Sequence, residues 1–313
     1  MAVQDLSQKL HIGVLRGGPS SKYDDSLQTG NLVINSLTDT HRPIDIFISS
    51  DGQWHMNGIE KKPETILQNV DVVFNALHGA YGEDGGVQEI LNRYGSRYTG
   101  SDRYESAIAM NRWFAKEKAK SLGIKTPVAM LVRQNDNLSE KAKEIWSSIQ
   151  NPLVVKPARG GYSLAYHKID SFHDLLGALE EVLATHDSAV VEEYLVGTRA
   201  SSGTINGFRG KDFYTLTPVE LNSDSHASFP TRFTDEQKDE IQKISKIIHK
   251  GLGLKHYSVS DLIVTPRRGV YFLEISTHPV MTEKSPIIKS LEAVGVSIKE
   301  LIHHLVNAAL NRN

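Results

Sequence analysis

The chain has 313 residues, 39% of them hydrophobic and 23% charged, with a formal net charge of −2. Near-neutral charge without a basic run argues against a general nucleic-acid or membrane surface, and zero cysteines exclude disulfides, thiolate catalysis and Cys-ligated metal sites. The polar start MAVQDLSQKL lacks a signal-peptide core and no apolar run approaches the roughly 18 residues of a membrane span. The expectation is a cytoplasmic protein of two or three domains.

The first apolar strand, residues 11–16, runs into Gly17-Gly18-Pro19-Ser20-Ser21, and a helix follows over 24–37 with Leu27, Val33, Ile34 and Leu37 turned inward. A strand, a glycine turn and a helix N-terminus offer bare backbone N–H groups to a ligand, although many α/β proteins begin this way. Strands over 43–48 and 70–77, with a hairpin edge at Asp51-Gly52, imply a parallel sheet covered on both faces. The second strand ends in His78-Gly79-Ala80-Tyr81-Gly82-Glu83-Asp84-Gly85-Gly86, ahead of a helix over 87–94. Loops at the carboxyl ends of parallel strands are where such folds bind ligands. His78 reads as a donor to an anionic group, while Glu83 and Asp84 read equally as ligands or as helix caps.

A helix is expected from 101 through Met110, Phe114 and Lys118, capped by Ser101 or Asp102 and stopped by Gly123 and Thr126-Pro127. A strand at 127–132 and an amphipathic helix at 138–150 lead to a strand at 153–157, which carries Lys156. The loop Ala158-Arg159-Gly160-Gly161-Tyr162-Ser163 and a returning strand at 164–168 complete a hairpin. A lysine before such a loop suits a charge held against phosphate, and serves structure alone in many proteins. It is not a P-loop, because the glycines follow the lysine and a strand returns. Next come a helix at 171–185, a strand at 188–193, antiparallel strands at 200–208 and 212–218, a polar loop at 222–232 and a helix at 233–251.

Residues 257–265 and 270–276 are rich in β-branched and aromatic side chains, with Pro266-Arg267-Arg268-Gly269 as a turn. A hairpin centred between Arg267 and Arg268 pairs Thr265 with Val270 and puts Asp261 opposite Glu274. Alternation then gives Asp261, Ile263, Phe272, Glu274 and Ser276 one face, and Leu262, Val264, Tyr271, Leu273 and Ile275 the other. Two carboxylates facing each other about 5 Å apart repel, and a cation between them relieves that. Oxygen ligands without Cys or His point to Mg²⁺. A sheet edge with two solvated acids, or a register off by one, is the alternative. A helix at 297–311 closes the chain.

These motifs occur in a specific order: Met110-Asn111-Arg112, Val154-Val155-Lys156-Pro157, Glu192-Glu193-Tyr194-Leu195, Asp261 and Leu273-Glu274-Ile275-Ser276-Thr277. Together with His78-Gly79, Gly82-Glu83-Asp84-Gly85, Tyr98-Thr99-Gly100-Ser101 and Thr277-His278-Pro279-Val280-Met281-Thr282 through Ser285, the chain resembles the D-alanine–D-alanine ligase branch of the ATP-grasp superfamily. The resemblance implies an α/β and α+β architecture, an ATP-grasp fold behind an N-terminal parallel α/β domain. Residues 1–103 would form the substrate domain, 104–187 the central ATP-grasp subdomain, and 188–313 the C-terminal subdomain with the metal site.

The activity implied is ATP-dependent ligation of a carboxylate to an amine through an acyl-phosphate. The implied cofactors are ATP and Mg²⁺, with Mn²⁺ as an alternative ion. Small amino acids are the implied substrates, and a homodimer the implied assembly. Carried over residue by residue, Lys156 contacts the nucleotide phosphates and Arg112 stands where the family has a second phosphate-binding lysine. Glu192, Glu193, Tyr194 and Leu195 form the adenine segment, with Arg199 in the place of a ribose-binding Glu. Asp261, Glu274 and Ser276 fall at the Mg²⁺ ligands, although the family uses Asn at the last. His78 approaches the first substrate, Ser285 receives the carboxylate of the second, and Tyr162 and Ser163 belong to the phosphate loop.

The departures concern the amino-acid end. Lys22 stands where the family has a Glu that holds an ammonium, so Asp24 or Asp25 would have to substitute. Val259 replaces an oxyanion-steadying Arg, the loss of which typically costs ~10²–10³ in rate. Val280 replaces a glycine, and the lid loop at 222–232 is short. The expectation is a ligase with altered amino-acid substrates; a catalytically impaired, nucleotide-binding or interaction homologue is the second reading.

Overall fold

A computed structural model of the chain describes residues 9–160, 167–222 and 225–312. The N-terminal part runs β1 (His11–Gly17), α1 (Tyr23–Leu37), β2 (Arg42–Ile48), β3 (Trp54–Met56), β4 (Ile59–Glu60), α2 (Pro63–Leu67), β5 (Val72–Asn75) and α3 (Gly86–Arg93). The sheet order is β4-β3-β2-β1-β5. β1 pairs in parallel with both β2 and β5, and its Val14 and Leu15 are buried on opposite faces, as a covered parallel strand requires. The expected parallel sheet is its core, and the hairpin expected at Asp51-Gly52 joins β2 to an antiparallel edge of β3 and β4.

The middle of the chain runs α4 (Arg103–Met110), α5 (Arg112–Ser121), β6 (Ala129–Arg133), α6 (Leu138–Ser148), β7 (Leu153–Pro157), β8 (His167–Ile169), α7 (Phe172–Thr185) and β9 (Ser188–Glu193). One continuous helix was the expectation over α4 and α5. Instead Asn111 takes extended angles and its side chain accepts from the N–H groups of Trp113 and Phe114, starting a new helix. The sheet order is β6-β9-β7-β8, all antiparallel, with Ile145 of α6 and Leu175, Leu179 and Val182 of α7 filling one face.

The last part runs β10 (Thr198–Phe208), β11 (Lys211–Thr215), β12 (Val219–Leu221), β13 (Ala227–Ser228), α8 (Asp235–Gly251), β14 (Tyr257–Thr265), β15 (Gly269–Ser276), α9 (Pro286–Ala293) and α10 (Ile298–Leu310). The sheet order is β13-β12-β10-β14-β15, with β11 also on β10. Ile241, Ile244 and Ile248 of α8 and Ala115 and Ala119 of α5 cover one face. Leu301, Leu305 and Val306 of α10 return to pack with Val33 and Leu37 of α1 and Phe74 of β5, closing the chain onto the first sheet. Among the described residues no helix is long and apolar enough to cross a membrane.

The β14–β15 hairpin corrects the expected register. Thr265 pairs with Gly269 and Val264 with Val270, one residue off, until a bulge between Leu262 and Asp261 shifts the pairing. The bulge takes up Leu273, so Asp261 still faces Glu274, as expected. It also turns Phe272 onto the α8 face beside Leu262 and Ile275, not onto the carboxylate face. Phe272 completes the apolar core while Glu274 stays with Asp261.

Candidate active site

Asp261, Glu274 and Ser276 line a cavity of about 510 Å³ between the first sheet and the β14–β15 hairpin. Asp261 is only 3% exposed, and its Oδ2 makes no hydrogen bond among the described residues. Burial, and then the facing Glu274, push its carboxyl well above the usual carboxylate range. Burial pushes Glu274 the same way, but Arg112, Lys156, Lys116 and Arg199 outweigh it and hold Glu274 below its ordinary value. Arg112 Nε donates to Glu274 Oε2 at 3.0 Å, whereas Arg199 Nη2 stands 3.8 Å from Asp261 Oδ2.

An orphaned buried carboxylate oxygen opposite a second carboxylate is a donor set suited to a hard divalent cation. Ser276 Oγ donates to Glu83 Oε2 at 2.7 Å, which commits its proton and leaves its lone pairs free to turn toward such an ion. Among the described residues no three His, Cys, Asp or Glu side chains cluster to hold a metal. Two carboxylates and a hydroxyl thus fit an ion that takes its remaining ligands from water and substrate phosphates, as Mg²⁺ does.

Behind this pair lies a buried charge network. Arg112, in the first turn of α5, also donates from Nη1 to Pro157 O at 2.9 Å. One turn further on, Lys116 is 1% exposed. Its Nζ lies 3.0 Å from Glu192 Oε2 and donates to Leu273 O at 2.6 Å. Lys156 Nζ meets the other oxygen of Glu192. Burial alone would raise the Glu192 carboxyl, but the two lysines hold it down at about 2.

The cavity wall also carries Lys22, Asp25, His78, Val259, Val280 and Ser285, with Val259 paired directly to Ser276. Lys22 Nζ lies 3.3 Å from Asp25 Oδ2, so Asp25, and not Asp24, faces the cavity beside it. His78 Nδ1 lies 2.9 Å from His278 O, and His78 Nε2 lies 2.8 Å from Thr29 Oγ1. A ring nitrogen opposite a carbonyl must donate, so Nδ1 carries the hydrogen and Nε2 accepts from the hydroxyl. Burial holds this ring neutral, with its pKa down at about 4. Ser285 caps α9 by position, yet its buried Oγ has no partner among the described residues.

Several expectations resolve differently. In the glycine turn after β1 both glycine amides are taken, Gly17 N–H by Ser26 Oγ and Gly18 N–H by Ile48 O. Asp84 accepts from the Gly86 N–H at the start of α3, whereas Glu83 accepts from Gly79 N–H and Ser276 and lines the cavity. Asp102 holds the N-cap position of α4, but its carboxylate serves Arg312 and Lys255 instead. Glu193 is held by Arg268 at 2.7 and 3.1 Å and by Val128 N–H at 3.0 Å. Tyr194 lies under Lys168 Nζ at 5.3 Å, Leu195 is half-buried, and Arg199 Nη1 donates to Ser225 Oγ at 3.2 Å. Tyr162 and Ser163 lie outside the described residues. Lys116 escaped the sequence reading, although its position four residues after Arg112 places it on the same helix face.

Profiles of known families match the chain: D-ala D-ala ligase N-terminus over residues 58–101, and D-ala D-ala ligase C-terminus over residues 119–307. The D-alanine–D-alanine ligase of Burkholderia cenocepacia is 32% identical over 312 residues, an alignment covering 96% of this chain and 96% of that one. Among solved structures, the D-alanine–D-alanine ligase from Coxiella burnetii superposes with a TM-score of 0.88 at 23% identity, covering 98% of this chain and 95% of that one. The Bacillus anthracis D-alanine–D-alanine ligase complexed with ATP superposes with a TM-score of 0.79 at 26% identity, covering 96% and 97%.

Proposed function

The chain belongs to the D-alanine–D-alanine ligase family of ATP-grasp proteins, and on that premise we propose that it joins two small amino acids in an ATP-dependent carboxylate–amine ligation. The observation that carries the reading is a cavity in which Asp261, its Oδ2 without a hydrogen bond among the described residues, faces Glu274, and whose wall also carries the Ser285 hydroxyl, likewise without one. The three-part division at 103 and 187 belongs to the same proposal, as do a homodimer and a cytoplasmic location.

In this reading ATP transfers its γ-phosphoryl to the carboxylate of the first amino acid, forming an acyl-phosphate and ADP. The amine of the second amino acid then attacks the acyl carbon, phosphate leaves, and the amine loses a proton. Asp261, Glu274 and Ser276 would hold Mg²⁺, with Mn²⁺ as an alternative ion, and the ion supplies neutralisation of phosphate charge when bound. Arg112 and Lys156 present positive charge where phosphates would lie, and Glu192 fixes the lysine beside the base. Glu193, Tyr194 and Leu195 continue the base-binding segment, while Arg199 donates to Ser225 and stands 3.8 Å from Asp261.

His78, neutral and with both nitrogens engaged, buttresses the cavity wall and is not positioned as a proton carrier. Ser285 donates its free hydroxyl to the carboxylate of the second amino acid, beside the first-turn N–H groups of α9. Tyr162 and Ser163, which lie outside the described residues, belong to the proposed phosphate loop. Lys22 beside Asp25 argues for a first substrate other than D-alanine, because the subsite meets its ammonium with a lysine already paired to the acid. The test is phosphate release from ATP and Mg²⁺ across a panel of D- and L-amino acid pairs. Release that needs both amino acids and is lost in Glu274→Gln supports the reading. The apolar side chains of Val259 and Val280 in the cavity favour the second reading, a nucleotide-binding homologue without turnover. That homologue would be stabilised thermally by Mg·ATP yet release no phosphate with any pair.

A further inference from the structure

We infer that Lys116 is a positioning residue that sets the metal carboxylates face to face by pinning the β-bulge at Leu273. The inference rests on the reading of Asp261 and Glu274 as metal ligands. Register arithmetic gives the reason. Near the turn the hairpin pairs Val264 with Val270 and Leu262 with Phe272. Continued without the bulge, that register would put Leu273 opposite Asp261 and Glu274 opposite Ser260. A one-residue slip moves every side chain to the other face, so Glu274 would turn toward the apolar α8 side and leave Asp261. Leu273 is the extra residue that prevents this.

β15 is the edge strand of its sheet, and α5 packs along it. The outward backbone groups at the bulge are met from the α5 side. Phe272 N–H donates to Lys125 O at 2.9 Å, and Leu273 C=O accepts from Lys116 Nζ at 2.6 Å. A lysine only 1% exposed is rarely tolerated without partners. Here it has two, the bulge carbonyl and Glu192 at 3.0 Å, and Glu192 also holds Lys156. Lys116 therefore joins the edge of the metal-bearing sheet to β9 and β7 of the neighbouring sheet, so that Glu274, Glu192 and Lys156 are placed relative to one another by one ammonium. Lys116 itself lies behind the cavity wall and does not line it.

The test reads metal binding directly, without turnover. Mn²⁺ affinity is measured by electron paramagnetic resonance on the full chain with ADP present, for wild type, Lys116→Met and Lys116→Gln, each held well below its melting temperature. Loss of an outer-shell partner of a metal ligand typically weakens metal binding about 10–100-fold. Lys116→Met is expected to fall in that range, with faster amide hydrogen exchange at Glu274 and Ser276. Lys116→Gln, which keeps a donor of shorter reach, is expected between Met and wild type, and serves if the Met variant does not fold. Mn²⁺ affinity within twofold of wild type in either folded variant, whatever its melting temperature, overturns the inference and leaves Lys116 a fold-stabilising residue. Wild type that binds no Mn²⁺ overturns the metal reading beneath it, a result that Lys116 variants cannot mimic.

Discussion

Asp261 and Glu274 are cross-strand partners with unequal company: Arg112 donates to Glu274 at 3.0 Å, while Arg199 stays 3.8 Å from Asp261. Burial and the facing carboxylate leave Asp261 the strained member, with its Oδ2 accepting no hydrogen bond among the described residues. Such pairs trade stability for function.

Replacing Asp261 by Asn removes the repulsion while keeping the shape. Metal-free Asp261→Asn is expected to be more stable than wild type by on the order of 1 kcal/mol, the scale of like charges directly opposed in a sheet. Its ATP turnover is expected to fall by ~10² or more, as when a preorganised charge-stabilising group is lost. Denaturant unfolding and phosphate release on the same preparation check both signs.

Ser285 offers a cleaner separation, because its hydroxyl makes no hydrogen bond within the chain among the described residues. Ser285→Ala should leave the melting temperature nearly unchanged. A hydrogen bond to a charged group contributes about 1.5–3 kcal/mol, so the KM for the second amino acid should rise roughly tenfold or more. Steady-state kinetics with the first amino acid saturating decide this.

At the proposed first subsite, Lys22 Nζ sits 3.3 Å from Asp25 Oδ2. Lys22→Glu replaces a cation by an anion on the cavity wall and is expected to lower the KM for a first substrate bearing an α-ammonium, by about tenfold on the same hydrogen-bond scale. An unchanged KM would show that Lys22 does not face that group.

The sequence-to-structure path succeeded where period and punctuation carry the fold. Asp261 does pair with Glu274, though only because the bulge at Leu273 offsets a turn register one residue off the expected one; the bounds of β9 and of the two hairpin strands follow from their apolar runs and from the Pro266–Gly269 turn. The bulge does not, because an extra residue on one strand leaves the hydrophobic pattern ambiguous until α8 selects Phe272 for the core. The break at Asn111 was hidden by good helix formers on both sides. α9 did leave a signal, Ser285 followed by Pro286 at its first turn, which is a helix start in its own right. Lys116 carries no sequence signal of burial; only the meeting of α5, β9 and β15 makes it buried.

Acid should weaken the fold. His78, His249 and His256 are each pushed down to about 4 by burial. In the unfolded chain these rings protonate near 6.5, so between those values the unfolded state binds more protons. Their contribution to stability is full above about pH 6.5 and is lost progressively as the pH falls toward 4, by up to about 1.4 kcal/mol per pH unit for each ring. Denaturant midpoints that drop between pH 7 and pH 5 would bear this out; ring resonances of these histidines titrating near 6.5 in the folded protein would refute it.

The central claim is that the carboxylate of one amino acid is activated by phosphoryl transfer before an amine attacks it. The direct measurement labels both carboxylate oxygens of the first amino acid with ¹⁸O and follows the released phosphate by mass spectrometry. Ligation through an acyl-phosphate places one ¹⁸O in each phosphate released and yields a product lighter than the two amino acids by one water. Phosphate that carries no label, or label-free release that persists without a second amino acid, would mean that water and not a carboxylate takes the phosphoryl group, and would contradict the account.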